Sequence, residues 1–133
     1  MSSSAGSSNA VSPPCIAIVD DDESVREALG NLLRSVGYEV RAFCSAEEFL
    51  DRPEGGAFSC LVTDIQMPGM GGLELQKRIV ASDTRLPVIL MTAFPRDHMR
   101  LQAEELGAAG FLTKPFDASR MIECVERALR PPA

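Results

Sequence analysis

The chain has 133 residues, 45% hydrophobic and 24% charged, with a net charge of −6 and a pI near 4.8. That length fits one domain with a core large enough to stand without disulfide staples, and the composition is globular rather than disordered. The acidic balance argues against a nucleic-acid face, no apolar run approaches the ~20 residues of a membrane span, and the polar N-terminus lacks the apolar segment of a signal peptide. The expectation is a cytoplasmic protein with no membrane partner and no direct nucleic-acid binding.

Residues 1–13 are mostly Ser, Ala, Gly, Asn and Pro and have little to bury, so a disordered tail is expected. Cys15–Val19 is a continuous apolar run, the pattern of a strand covered on both faces. Asp20 and Asp21 follow it directly. Val25, Ala28, Leu29, Leu32, Leu33 and Val36 then recur at helical spacing, and Gly37 supplies a stop. Glu39–Phe43 alternates polar and apolar residues and suits a half-exposed edge strand. Ser45-Ala46-Glu47-Glu48 is a capping box that opens a short second helix.

Cys60–Thr63 is a third strand, ending at Asp64. A turn, Met67-Pro68-Gly69-Met70-Gly71-Gly72, leads to a helix marked by Leu73, Leu75, Gln76, Ile79 and Val80. Val88–Met91 is a fourth strand, ending at Thr92. Met99, Ala103 and Leu106 mark a fourth helix that Gly107 ends. Gly110–Thr113 is a short fifth strand followed by Lys114. Ala118, Met121, Ile122, Val125 and Leu129 mark a fifth helix with Asp117 as its cap. The domain is expected over 14–130, with 131–133 a chain end or the start of a linker.

Five strands alternating with five helices imply right-handed crossovers and an α/β doubly wound parallel sheet. Ligands bind such sheets beyond the carboxyl ends of the strands. Asp20-Asp21, Asp64, Thr92 and Lys114 all fall at those ends. Clustered carboxylates repel: two unit charges about 4 Å apart cost roughly 4 kcal/mol at an effective dielectric of 20. They need a cation, a lysine or a shared proton. Mg2+ is a hard cation that takes oxygen ligands, and Lys114 offsets part of the charge. A carboxylate can also attack a phosphoryl group. Asp64 stands alone beside a glycine-rich turn and suits that role; the adjacent pair suits a metal.

Ile16–Asp21, Val62–Pro68, Val88–Ala93 and Phe111–Phe116 together resemble the receiver domain of two-component response regulators. The resemblance covers about residues 15–129. It implies a flavodoxin-like five-stranded sheet of order 2-1-3-4-5. It implies Asp64 as phosphoacceptor, Mg2+ (or Mn2+) held by Asp21, Asp20, Asp64 and the backbone carbonyl of Gln66, and Lys114 as the phosphate-binding lysine. Thr92 and Phe111 would form a switch pair. The donor would be a histidine kinase or a histidine phosphotransfer protein. Readout would fall on the fourth helix, fifth strand and fifth helix, through a phosphorylation-favoured homodimer or an effector protein. Ser45–Leu50 and Met67–Leu75 further resemble receivers of the nitrogen-fixation regulator type. The chain would be a signalling domain rather than an enzyme, one that assists its own phosphorylation and dephosphorylation.

Two alternatives use similar residues. A phosphohydrolase of the haloacid dehalogenase kind also has an Asp nucleophile, a hydroxyl, a Lys and an acid pair, but its nucleophile follows the first strand and its acids come late. A phosphate-independent binding module on the same scaffold usually lacks the acids or the lysine, and none is missing here. The four cysteines contain no C-x-x-C pair and read as small buried hydrophobes. His98 reads as a solvent-exposed helix residue, and Met91, Met99 and Met121 as core. The Lys114–Pro115 bond is expected to be cis, because the chain must aim Lys114 into the pocket while reversing into the last helix.

Overall fold

The computed structural model describes residues 13–52, 57–82 and 85–130. The expected tail, apart from Pro13, and residues 131–133 lie outside the described residues. Five strands, β1 (Cys15–Val19), β2 (Glu39–Phe43), β3 (Cys60–Asp64), β4 (Val88–Thr92) and β5 (Gly110–Thr113), form one all-parallel sheet of order β2-β1-β3-β4-β5. Five helices connect and follow them: α1 (Glu23–Ser35), α2 (Ala46–Leu50), α3 (Gly72–Ala81), α4 (Asp97–Glu105) and α5 (Ala118–Leu129).

The continuous apolar runs belong to strands buried on both faces. Ala17, Val19, Leu61, Val88 and Leu90 point to one face, where Phe49 of α2, Leu75 and Ile79 of α3 and Ala103 of α4 cover them. Ile16, Ile18, Cys60, Val62, Ile89 and Met91 point to the other, under Leu29 and Leu33 of α1 and Met121, Cys124 and Val125 of α5. Each fully buried large apolar side chain contributes roughly 1.5–3 kcal/mol. β2 is the exposed edge, with Phe43 its one fully buried residue. Phe43 meets Phe49 edge-on at 5.3 Å between centroids, which anchors the short α2 to the sheet.

Local signals set the helix ends, at Asp117 and Ser45 as expected and at Asp22 by a cap not singled out from the sequence. Asp22 caps α1 by accepting from the Ser24 and Val25 N–H groups, and Asp117 caps α5 at Ser119. Ser45 and Glu48 close the capping box: Ser45 Oγ accepts from Glu48 N–H at 3.0 Å, and Glu48 Oε1 from Cys44 N–H at 2.7 Å. Gly37 and Gly107 take positive φ past α1 and α4. The Lys114–Pro115 bond is cis.

Some residues expected in the core lie outside it. Ala28, Val36 and Val80 are exposed, because a periodic stripe read from sequence is wider than the face a sheet can cover. Cys44 is exposed and Cys15 half-buried, so only Cys60 and Cys124 act as fully buried hydrophobes. Burial, with Cys124 nearby, pushes the Cys60 thiol up to about 12, which keeps it protonated and inert. Met91 and Met121 are buried, Met99 packs against the core, and His98 is exposed, each as expected.

Cys124 also explains Gly110. A Cβ at Gly110 would collide with Cys124 Sγ. Gly110→Ala is therefore expected to destabilise by about 1–3 kcal/mol, the usual cost of overpacking. In a Cys124→Ala background the same change should cost at least ~1 kcal/mol less. Urea titration of the four proteins measures that coupling, and additive effects would refute the contact.

Candidate phosphoryl and metal site

Parallel pairing brings the candidate residues to one edge of the sheet. Val19 pairs with Thr63, Asp64 with Met91, and Thr92 with Thr113, so Asp20, Asp64, Thr92 and Lys114 all sit at neighbouring strand ends. Backbone bonds fix them there. Asp20 N–H donates to Phe43 O, Ile65 N–H to Met91 O and Lys114 N–H to Thr92 O.

Lys114 Nζ lies 2.9 Å from Asp20 Oδ2 and 3.4 Å from Asp64 Oδ2. Asp20 is fully buried and Asp64 nearly so, while Asp21 is exposed at the mouth. Carboxylate oxygens of Asp20, Asp21 and Asp64 lie within 4.8 Å of one another. Asp20 Oδ1 accepts from the Asp22 N–H at 2.9 Å. Asp20 Oδ2 is buried and has only the charge of Lys114, without an aligned hydrogen bond.

Three carboxylates face one ammonium, so the site carries excess negative charge around an oxygen that lacks a hydrogen-bond partner. That donor set fits a hard dication with oxygen ligands. Burial pushes the Asp64 carboxyl above its ordinary value, with Lys114 opposing and Asp20 reinforcing the shift. Burial works against the Lys114 ammonium, but contact with Asp20 and the charges of both acids overcome it and leave Lys114 above its usual value.

The remaining candidates occupy the surroundings. Thr92 is fully buried, and its Oγ1 accepts from Phe94 N–H at 3.1 Å. Gln66 is exposed in the turn after Asp64, and its backbone N–H bonds the Asp64 carboxyl. Phe111 is away from the acids: half-buried on β5, it packs against the core with the Arg100 guanidinium 4.5 Å from its ring centroid. The glycines of the turn allow close approach. A Cβ at Gly71 would lie 2.6 Å from Ile65 O, and one at Gly72 would strike Asp64 O.

Sequence reasoning missed two supports of the site. Arg26 Nη1 donates to Asp20 O at 2.7 Å, holding the first acidic loop from α1. Glu47 Oε2 accepts from Met70 N–H at 2.9 Å, holding the turn after Asp64 from α2. Neither residue follows a motif spacing; the resemblance of both runs to one receiver subtype was the only signal near Glu47.

An all-parallel 2-1-3-4-5 sheet with an acid cluster and a lysine at its carboxyl edge defines a class, and comparison with known proteins agrees. The response regulator receiver domain family matches residues 16–126, and the chain belongs to that family. Receivers are signalling domains whose general function is to accept phosphorylation from a histidine kinase. Within it the chain is 40% identical over 115 residues to the transcriptional regulatory protein FixJ of Bradyrhizobium diazoefficiens, covering 86% of this chain and 56% of that one. It is 42% identical over 114 residues to FixJ of Azorhizobium caulinodans, covering 86% and 54%. Among solved structures, FixJ-N superposes with a TM-score of 0.82 at 34% identity, covering 92% of this chain and 98% of that one. The chain spans about half the length of the curated relatives it matches.

Proposed function

We propose that Asp64 is the phosphoacceptor and that residues 14–130 form the receiver domain. The observation that carries this is the Lys114 ammonium bridging Asp20 and Asp64 beside Asp21 at one sheet edge. The phosphoryl group would pass from a phosphohistidine of a partner kinase or phosphotransfer protein. The N–P bond breaks, an Asp64 oxygen forms the new O–P bond, and the imidazole nitrogen is released. Asp20, Asp21, Asp64 and the Gln66 carbonyl would hold Mg2+ (or Mn2+), which neutralises phosphoryl charge when bound. Lys114 pairs with a phosphoryl oxygen, and the Thr92 hydroxyl offers it a hydrogen bond.

In this reading the chain is a signalling domain that assists its own phosphorylation and dephosphorylation, not a turnover enzyme. Among the described residues no helix is long and apolar enough to cross a membrane; the cytoplasmic location we infer rests on the receiver family. The family match and the order of the motifs disfavour a haloacid dehalogenase-like phosphohydrolase and a phosphate-independent module.

To donate to a phosphoryl oxygen, the Thr92 hydroxyl, which now accepts from Phe94 N–H, is expected to move inward. That frees space toward β5, and Phe111, already half-buried, can turn further in and leave Arg100. The face left behind carries Arg96, Arg100, Glu104 and Glu105 beside Arg120, Glu123 and Arg127, all exposed. Mixed charges of this kind pair across a two-fold axis, so phosphorylation is expected to favour a weak homodimer or an effector contact there. Sedimentation with and without a phosphoryl mimic checks this. A monomer in both states, with no chemical-shift change on that face, would refute the switch.

A further inference from the structure

Two sequence runs, Ser45–Leu50 and Met67–Leu75, resemble receivers of the nitrogen-fixation regulator type, and the fold joins them. Glu47 lies at the start of α2. Its neighbour Glu48 is consumed by the capping box, but Glu47 turns away and its Oε2 accepts from Met70 N–H at 2.9 Å, 23 residues along the chain. Three features show that this contact is built. Gly69 takes φ +76° beside it, and a Cβ there would lie 2.7 Å from Glu47 Oε2. Met67 and Met70 pack on the core on either side of the glycine. The Met70 N–H, with Glu47's own backbone N–H and the more distant Arg78 charge, holds the Glu47 carboxyl below its ordinary range even at an exposed position.

The turn between Asp64 and α3 is thus clamped at two places. Gly72 N–H donates to Ile65 O at 3.0 Å and closes its inner end. Glu47 holds its outer end. Gln66, whose carbonyl would face the cation and whose N–H bonds Asp64, lies between the clamps. A backbone carbonyl has no rotamer of its own, so its aim is set by the turn that carries it. Partners outside a metal's ligand set commonly govern affinity in this way.

We infer that Glu47 is a positioning residue for the phosphoryl site: by holding Met70 N–H it sets the Gln66 carbonyl and thereby the affinity for a divalent cation. This rests on the cation role assigned above to Asp20, Asp21 and Asp64. Glu47 itself touches neither cation nor phosphate.

The test uses Mg2+ or Mn2+ alone as the probe. Glu47→Ala should weaken cation binding on the order of 10-fold, the lower end of what such outer partners contribute. Glu47→Gln should restore it, because an amide oxygen accepts the same N–H. That rescue separates the bond from the charge, since both variants lose the negative charge equally. Hydrogen exchange at the Met70 amide should speed up in Glu47→Ala and stay slow in Glu47→Gln. If Met70 exchange rises in Glu47→Ala while cation affinity is unchanged, the inference fails. If Glu47→Gln binds as weakly as Glu47→Ala, charge alone acts and the inference also fails. Asp21→Ala is the control for the underlying reading: unchanged affinity there would overturn the cation site itself, whereas lost affinity there with none lost in Glu47→Ala overturns only the positioning role.

Discussion

Asp64→Asn is expected to abolish labelling by a small phosphodonor with Mg2+, while the unaltered protein gains one acid-stable, base-labile phosphoryl group. The amide is not a nucleophile toward phosphorus, and Asp20, the other buried acid, is held against Lys114 and the Asp22 N–H. The same change should stabilise the fold. Burial raises the Asp64 pKa above the 3.8 of a free carboxyl, so near neutral pH the native state carries a charge it disfavours. A carboxyl whose pKa is raised on folding costs stability as pH rises from 3.8 through the folded value. Asp64→Asn removes that cost, for a gain in stability at pH 7 that vanishes below pH 3.8. Thermal melts across pH without divalent cation measure it. A variant that still gains the label, or that loses stability at pH 7, would contradict the assignment.

Lys114→Met is expected to have the largest effect on folding. It leaves the fully buried Asp20 carboxylate without its counter-charge and Asp64 without its opposing cation. Breaking a buried pair this way costs roughly 3–5 kcal/mol, and partial exposure of Lys114 places this case near 3. The deficit should be greatest at neutral pH and shrink on acidification. Without Lys114 the Asp64 carboxyl rises further, so protonation relieves the repulsion earlier as pH falls. Above pH 10.5 the ordinary protein should approach the variant, since the lysine's contribution is lost as pH passes its raised value. Mg2+ should recover part of the loss by replacing the missing positive charge. A variant as stable as its parent at pH 7, or one equally destabilised at all pH values, would show that the pair does not hold the site.

Most of the fold was legible because its signals are local. Ser45 and Asp117 cap with side chains that reach their own helices, and Gly37 and Gly107 stop helices by their own backbone freedom. The misplaced residues are those that depend on what covers them. Val36 and Val80 continue a helical stripe past the edge of the sheet, and Cys44 follows the half-exposed edge strand at the surface.

By itself the sequence determined the alternation of strand and helix, and with it the convergence of Asp20, Asp21, Asp64, Thr92 and Lys114. Parallel strands all end on the same edge, so a residue placed after each apolar run is placed in the site. Only the tertiary structure decided how those side chains pair. Lys114 sits nearer Asp20 than Asp64, Thr92 is engaged by Phe94 N–H, Phe111 lies under Arg100, and Glu47 reaches Met70. Each of these contacts joins groups through packing angles and loop paths, which periodicity along one chain does not encode.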